Sequence, residues 1–208
     1  MGNLITVGGH TFDPTLLTDG VIIDVGCRGF EFADYFIGKK TFAIDPDGAV
    51  FIASEDAIPD EFGLYLSPHH LICAAISDKA GDSEIYENGE ATCLKQRHHH
   101  QDHRIKPCKT ITMEDLYKIT GENVDILKLD CEGAEYIILG ETFKPIPKQI
   151  TVEFHHHCVP EMHNKYLPGI LVNLLKDYNV HNFVWETKHG AGFNYWDVLF
   201  IRKDIWQS

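Results

Sequence analysis

The stretch that most constrains the fold is VIIDVGCRG at residues 21–29, in which a short apolar run leads into two glycines three residues apart. A run of Val and Ile with few polar breaks is typical of a strand buried on both faces of a sheet. Glycine has no Cβ, so the Gly-x-x-Gly segment can turn sharply and approach a ligand closely. The residues that follow, FEFADYFIG, place apolar side chains at helical spacing. Strand, glycine turn and helix together predict the opening unit of a nucleotide-type cofactor site.

The rest of the chain continues to alternate between strand-like and helix-like segments. Apolar runs predict strands at residues 41–47, 71–77, 124–130 and 148–157, and two further strands at 181–186 and 195–203. Helical spacing predicts helices near residues 31–37, 112–120 and 163–178, the second of which begins with a Thr112/Asp115 capping pattern. This order predicts one α/β domain over residues 1–208, with a mostly parallel sheet, helices on both faces and an antiparallel C-terminal strand.

Three segments fall outside this alternation. We expect an N-terminal extension over residues 1–20, a short edge strand with a turn over 82–89, and a polar, His-rich loop over 88–110. A loop of that length and polarity could cover a ligand site.

Composition excludes several classes of partner. The chain carries 31 acidic residues against 18 Lys and Arg, a formal net charge of −13, whereas bulk nucleic acid and anionic membranes favour dense positive charge. No run approaches the ~20 apolar residues of a membrane span. The first residues lack the basic and apolar regions of a signal peptide, and the six cysteines are scattered without a Cys-x-x-Cys pair. We therefore expect a reduced, cytoplasmic protein that binds neither bulk nucleic acid nor membrane.

The glycine turn differs from that of a dinucleotide site at one position. Gly26 and Gly29 align with the last two glycines of Gly-x-Gly-x-x-Gly, but Asp24 occupies the place of the first. An acid there would repel a pyrophosphate. Asp45 ends the next strand, about twenty residues on, where an acid accepts hydrogen bonds from both ribose hydroxyls. The pattern therefore predicts a nucleoside cofactor without phosphates in preference to NAD.

A later strand carries charged residues at its carboxyl end. In LKLDCEGAE, strand alternation places Lys128, Asp130 and Glu132 on one side. Charged groups are costly inside a sheet that is buried on both faces, so we expect the two acids to lie in the cleft. Glu135 falls in the first turn of the following helix, where the helix dipole favours an acid.

The next strand, ITVEFHHHC, repeats this arrangement. Glu153 and His155 share one face and could lie opposite Asp130 and Glu132 across the cleft. A histidine with a pKa near its ordinary value of about 6.5 can act as the base for a substrate hydroxyl. His155 is therefore a candidate base, with a histidine satisfied by hydrogen bonds at a strand end as the alternative.

The thirteen histidines also raise the question of a metal site. Residues 98–103 and 155–163 are rich in histidine, but consecutive histidines on a strand point apart and no His-x3-His falls on a predicted helix. We therefore predict no metal. An ion held by Asp130 and Glu132 is the weaker alternative.

Several motifs carry a family resemblance, which spans residues 20–203. They are VIIDVGCRG, FAIDPD, AISDKAGDSEIYEN, ITMEDLYKI, VDILKLDCEGAEYIIL and ITVEFHH. On these segments the chain resembles the class I S-adenosylmethionine-dependent methyltransferases and, more narrowly, the FkbM family. The resemblance implies a seven-stranded Rossmann-like sheet, S-adenosylmethionine as cofactor, and methyl transfer, usually to a hydroxyl.

The resemblance also assigns site residues by position. The candidate cofactor-binding residues are Asp24, Gly26, Cys27, Arg28, Gly29, Asp45, Pro46, Ser77, Asp78 and Asp130. In this assignment Asp24 and the two glycines line the methionine part, Asp45 holds the ribose, and Ser77 with Asp78 lies near the adenine. The candidate catalytic residues, from the resemblance and the strand pattern together, are His155, Glu132, Asp130 and Glu153.

These observations predict O-methylation of a hydroxyl on a sugar or small-molecule acceptor. Two alternatives use the same fold: an NAD(P)-binding Rossmann oxidoreductase and a non-catalytic S-adenosylmethionine-binding module. We expect the acceptor to be recognised by the 88–110 loop, by residues 155–165, by the C-terminal hairpin, or by a second copy of the chain in a homo-oligomer.

Overall fold

A computed structural model describes residues 3–52, 58–59, 65–66, 69–88, 91–94, 104–140, 143–156, 159–188 and 193–206. Its strands are β1 (Ile5–Val7), β2 (His10–Phe12), β3 (Val21–Val25), β4 (Thr41–Asp45), β5 (Ile58–Pro59), β6 (Tyr65–Leu66), β7 (His70–Cys73), β8 (Ala75–Ile76), β9 (Gly81–Asn88), β10 (Ala91–Cys93), β11 (Arg104–Ile111), β12 (Val124–Leu129), β13 (Gln149–His155), β14 (Tyr178–Lys188) and β15 (Phe193–Arg202). Its α-helices are α1 (Glu31–Asp34), α2 (Ala49–Ile52), α3 (Met113–Thr120), α4 (Glu135–Ile138) and α5 (Pro160–Asp177), and Pro14–Leu16 forms a 3-10 turn.

The main sheet has seven strands in the order β14-β15-β13-β12-β3-β4-β7. The strands from β13 to β7 are parallel, and β15 and β14 add an antiparallel hairpin at one edge. The predicted Rossmann-like α/β fold, with its mostly parallel sheet and antiparallel C-terminal strand, is confirmed. The chain leaves β3 towards β4 on one side and returns to β12 on the other, so the strand order reverses beside β3. Ligands of open α/β sheets bind at this kind of reversal, outside the carboxyl ends of the strands.

The core follows directly from the apolar runs. Every residue of β3, β4 and β12 is buried, as expected for central strands covered on both faces. One large cluster includes Val25, Ile44, Leu129 and Phe154 and lies under α4 and α5. This rigid centre fixes the strand ends at which the polar residues emerge.

The third predicted strand, 71–77, is wrong as a single element. The chain breaks at Ala74: β7 ends the main sheet, and β8 joins a second, four-stranded sheet in the order β10-β9-β11-β8. The predicted edge strand at 82–89 is also corrected, because β9 lies between β10 and β11.

The predicted loop over residues 88–110 is wrong at its C-terminal end and in part near its start. Ala91–Cys93 and Arg104–Ile111 are both strands that pair with β9. In β11 the more buried side carries Lys106, Cys108 and Thr110. Polar groups on the inner face hide the usual apolar alternation, so the pattern did not indicate a strand. Residues 95–103, with the His-rich segment, lie outside the described residues.

The N-terminal segment packs against the main sheet. The β1–β2 hairpin places Phe12 in an apolar cluster with Ile22, Phe32 and Phe36. Its end is fixed to β13, because the backbone N–H of Asp13 donates to Gln149 Oε1 at 2.7 Å and Gln149 Nε2 donates to the carbonyl of Asp13 at 3.0 Å. The predicted extension over residues 1–20 therefore brings side chains to the middle of the sheet.

The predicted helices are present, though two are shorter than expected. The capping box at α3 is confirmed: Asp115 N–H donates to Thr112 Oγ1 at 3.1 Å, and Thr112 N–H donates to the Asp115 carboxylate at 3.2 Å. Helices α1 and α4 have only four residues each. Among the described residues, no helix combines the length and apolar character needed to cross a membrane.

Gly26 and Gly29 together test how closely the chain after β3 approaches the chain after β12. Both have φ near +80°, a conformation that costs an L-residue about 1–2 kcal/mol. A Cβ on Gly26 would lie 1.7 Å from the carbonyl oxygen of Asp130, whereas a Cβ on Gly29 would meet nothing within 4 Å. We expect Gly29→Ala to lower the free energy of unfolding by about 1–2 kcal/mol in urea titrations, and Gly26→Ala to lower it considerably more. Equal losses would show that β3 and β12 do not meet this closely.

Candidate functional site

A cavity opens at the carboxyl ends of β3, β4 and β12, where the strand order reverses. It is lined by Val25, Gly26, Arg28, Asp45, Pro46, Val50, Ala74, Ala75, Ile76, Leu94, Asp130, Cys131, Glu132 and Ala134. The structure thus brings together five of the predicted cofactor-binding residues: Gly26, Arg28, Asp45, Pro46 and Asp130.

A buried lysine joins the two strands beneath this cavity. Lys128 lies opposite Asp24 in the parallel register of β12 and β3, and its Nζ is 3.0 Å from Asp24 Oδ1. The same ammonium donates to the carbonyl of Gly26 at 2.6 Å. Burial alone would lower the pKa of Lys128, but the carboxylates of Asp24 and Asp130 outweigh it and raise that pKa. Lys128 therefore remains a cation inside the sheet.

This pairing changes the role expected for Asp24. Its side chain is buried and faces Lys128, and it does not line the cavity. The contact between Asp24 and the methionine part of a cofactor stays a prediction, and the structure shows Asp24 in a second, indirect role. Asp24 holds the lysine that in turn binds the backbone of the glycine turn.

Asp45 lies at the edge of the cavity with a carboxylate that is almost wholly buried. One oxygen accepts a 2.8 Å hydrogen bond from the backbone N–H of Asp47. Burial raises the pKa of Asp45 from 3.8 to about 6, although this hydrogen bond opposes the rise. A carboxylate held here without full solvation gains from hydrogen-bond donors such as ribose hydroxyls.

The second sheet supports the loop that carries Asp45. Lys106 on β11 reaches the carboxylate of Asp47 at 3.2 Å and that of Glu87 on β9 at 3.0 Å. Lys106 falls in the segment predicted to be a loop, so the sequence pattern gave no reason to place it near the site. These contacts link the second sheet to Asp47, whose backbone N–H donates to the carboxylate of Asp45.

Apolar side chains form another part of the cavity wall. This apolar wall is formed by Pro46, Val50, Ala74, Ala75, Ile76 and Leu94. Ser77 and Asp78, predicted near the adenine, line a different cavity beside α3. The chain breaks at Ala74, so Ala75 and Ile76 line the first cavity, and Ser77 and Asp78 lie outside it.

The two other predicted cofactor residues also lie outside the lining. Cys27 is buried in an apolar cluster with Phe30, Ala33 and Ala43, where burial raises the pKa of its thiol. Gly29 shapes the turn through its positive φ. Both residues support the loop without facing the cavity.

The turn after β12 is organised by Glu135. This fully buried carboxylate accepts hydrogen bonds from the backbone N–H groups of Cys131 and Gly133, each at 2.8 Å. Glu132 lies within this turn with φ +54°, so the strand alternation predicted to carry through Glu132 is wrong. A residue with a side chain rarely adopts this backbone conformation, and it places Glu132 on the wall of the cavity.

His155 lies at the centre of four carboxylates. Its Nδ1 is 2.9 Å from Glu135 Oε1, and its Nε2 is 3.1 Å from Glu153, 3.5 Å from Asp130 and 3.7 Å from Glu132. The four predicted catalytic residues are therefore brought together, with Glu135 as a fifth member that the sequence indicated only as a helix-start acid.

The charge on His155 differs from the sequence prediction. Burial would lower its pKa, but the surrounding carboxylates, Glu135 first among them, outweigh burial and raise that pKa well above 6.5. An imidazolium has no lone pair with which to accept a proton. In this arrangement His155 is thus a cation that binds the carboxylates together, and the predicted role as general base is not supported.

Asp130 links the buried lysine, the two buried histidines and the cavity. It lines the cavity and lies 3.6 Å from Lys128 and 3.5 Å from both His155 and His10. Burial would raise its pKa, but the nearby ammonium of Lys128 outweighs this and holds the pKa well below its usual range. His10, from the N-terminal hairpin, had no motif that could have placed it here.

Comparisons with known proteins identify the family of this chain. The sequence matches the family described as Methyltransferase FkbM domain over residues 28–186, well over half of the chain. No curated protein matches the sequence. Among solved structures, M. capricolum TrmK in complex with S-adenosyl-homocysteine is similar over 88% of this chain and 62% of that chain, with 13% identity and a TM-score of 0.45. This chain therefore matches less than two thirds of that structure's length. The predicted cofactor, S-adenosylmethionine, is the one used by the matched family. The chain belongs to the FkbM methyltransferase family.

Proposed function

We propose that the protein transfers a methyl group from S-adenosylmethionine to a hydroxyl oxygen of a saccharide or another small polar acceptor. Family membership supports methyl transfer. The proposal adds the nature of the acceptor and the residues that hold each partner.

The observation that carries the proposal is the charge at the end of the cavity. Among the described residues, five carboxylates and two cationic side chains lie in or beneath this end: Asp24, Asp130, Glu132, Glu135 and Glu153 with Lys128 and His155. Asp130 and Glu132 line the cavity itself, where Asp45 offsets the charge of Arg28. A negative surplus in a poorly solvated site attracts a positively charged ligand and repels a pyrophosphate. This favours a sulfonium cofactor and disfavours the NAD(P) alternative.

The residues of the cavity fit such a cofactor. When bound, S-adenosylmethionine supplies an electrophilic methyl group on a positively charged sulfur. Asp45 would accept hydrogen bonds from the ribose, and the apolar wall that includes Val50 and Ile76 would cover the adenine. Gly26 lets its backbone pack against the carbonyl of Asp130 at the floor of the cavity. The acidic end near Asp130 would then receive the positive charge.

The acceptor side follows from the remaining carboxylates. Glu132 and Glu153 are partly exposed, so a ligand can reach them. Carboxylates accept hydrogen bonds from hydroxyl groups, and because the pKa of His155 is raised, they are better placed than His155 to take the proton of the attacking hydroxyl. We assign this proton to Glu132, on the cavity wall. Several neighbouring acceptor groups suit a polyhydroxylated molecule such as a saccharide.

The function is tested by incubating the protein with S-adenosylmethionine and a panel of saccharides, polyols and primary amines. We expect mass spectrometry to show one added methyl group on hydroxyl-containing acceptors and release of S-adenosylhomocysteine. Glu132→Gln should slow this turnover by roughly 10²–10⁴-fold, the usual range for a lost general base, while cofactor affinity stays within a few fold. Methylation confined to amines would contradict the proposal.

The pH dependence of cofactor affinity tests the role of Asp45. Ribose hydroxyls bind the ionised carboxylate better than the neutral acid, so binding should lower the pKa of about 6 and release a proton. Affinity measured by calorimetry should therefore fall as the pH drops through about 6 and level off above it.

Asp45→Asn should remove this pH dependence and weaken binding roughly 10- to 100-fold, as expected for hydrogen bonds to a charged group. Asp82→Asn is the matched control, because Asp82 is an exposed carboxylate on β9. It should leave both the affinity and its pH profile unchanged. An unaltered profile in Asp45→Asn would remove Asp45 from the cofactor site.

A further inference from the structure

We propose that His10, Asp130 and Glu153 form a site for one divalent metal ion on the acceptor side of the cleft. One ligand atom from each residue lies within 4.8 Å of the other two. The site itself stands on the contacts below, and only the role given to the ion rests on the proposed transfer to a hydroxyl.

His10 provides the main evidence. Its side chain is 1% exposed, and its Nδ1 lies 3.4 Å from the hydroxyl of Thr151. Its Nε2 faces Asp130 Oδ2 at 3.5 Å and makes no hydrogen bond. A buried ring nitrogen without a hydrogen bond is costly. When Nδ1–H donates to Thr151, the lone pair of Nε2 points towards the carboxylate, as in metal-binding histidines.

The two carboxylates supply the other ligands. The side chains of Asp130 and Glu153 are 32% and 20% exposed, so an ion can enter from solvent. Bonds of about 2.1 Å to a first-row divalent ion place neighbouring ligand atoms about 3 Å apart and opposite ones about 4.2 Å apart. His10 Nε2 and Asp130 Oδ2 are 3.5 Å apart, and all three ligand atoms lie within 4.8 Å of one another, so they can converge on one ion. One imidazole and two carboxylates suit Mn²⁺, which accepts both nitrogen and oxygen ligands.

Two cations border the site, but the surrounding carboxylates outnumber them, so the net charge stays negative. Lys128 Nζ is 3.6 Å from Asp130 Oδ2, and His155 Nε2 is 3.1 Å from Glu153 Oε1. The carboxylates of Asp24, Glu132 and Glu135 lie around the same two cations and offset them. The site therefore retains a field that attracts a metal ion.

The position indicates what the ion would do. Asp130 lines the cofactor cavity, whereas His10 and Glu153 do not, so the ion would lie beside the cavity, and we place the acceptor there. A metal-bound hydroxyl has a lowered pKa. The O–H bond would break with its electron pair left on the oxygen and its proton passing to Glu132. That oxygen would then bond to the methyl carbon while the C–S bond breaks, and its electron pair would leave on the sulfur of S-adenosylhomocysteine. Three protein ligands leave positions for two acceptor oxygens, which selects a chelating acceptor such as a vicinal diol.

The test is a titration of the EDTA-treated full-length chain with Mn²⁺, followed by electron paramagnetic resonance. We expect one tight site whose spin-echo modulation shows a directly bound nitrogen. His10→Ala should remove the nitrogen signal, and both His10→Ala and Glu153→Gln should weaken Mn²⁺ binding about tenfold or more. Glu153→Gln keeps the side-chain volume and so retains a readout where His10→Ala fails to fold.

His69→Ala is the matched control, because His69 is also a buried histidine but is bonded to Asp34, at 2.7 Å, outside the cluster. It should bind Mn²⁺ as the unmodified protein does. Absence of a Mn²⁺ site, or a site unchanged in both His10→Ala and Glu153→Gln, overturns the proposal.

The failure of this inference is distinguishable from failure of the proposed function. Hydroxyl methylation at the same rate in EDTA and in Mn²⁺ would contradict the role proposed for the ion and would leave the proposed function standing. A Mn²⁺ site that depends on His10 and Glu153, without methylation of any hydroxyl acceptor, supports the site and contradicts the function.

Discussion

The rest of the site depends on one buried ammonium group. Lys128 Nζ binds the carbonyl of Gly26 and pairs with Asp24, and both contacts cross between β12 and β3. They fix the two strands at the point where Gly26 and Asp130 touch. Breaking such a buried pair by removing one partner costs about 3–5 kcal/mol, because a charge is left uncompensated in the core. The floor of the cofactor cavity is therefore set by electrostatics within the sheet.

The same ammonium reduces the repulsion between the carboxylates that lie close together around it. Lys128 offsets part of the charge of Asp130, and His155 offsets the charges of Glu132, Glu135 and Glu153. Glu135 also holds the turn after β12 through two backbone hydrogen bonds. Together these contacts create a preorganised, negative cleft, which suits the cationic cofactor and the polyhydroxylated acceptor that we propose.

The sequence predicted the elements that rest on short-range pattern and could not predict those that rest on tertiary contact. Buried Val and Ile runs identified the parallel strands, and strand-end acids identified Asp45 and Asp130. Lys106 was missed because its strand has polar groups on its inner face. His10 was missed because only the packing of the hairpin against β13 brings it to the cleft. The charge of His155 could not be predicted, since it depends mainly on carboxylates from another segment of the chain, residues 130–135.

The central claim is that this cleft accepts a positively charged nucleoside and rejects a phosphorylated one. Parallel calorimetric titrations of the full-length chain with S-adenosylmethionine and with NADH, at neutral pH and low salt, test it most directly. The account predicts saturable binding of S-adenosylmethionine that weakens as salt screens the acidic groups, and no binding of NADH. Binding of NADH with equal or higher affinity would contradict it.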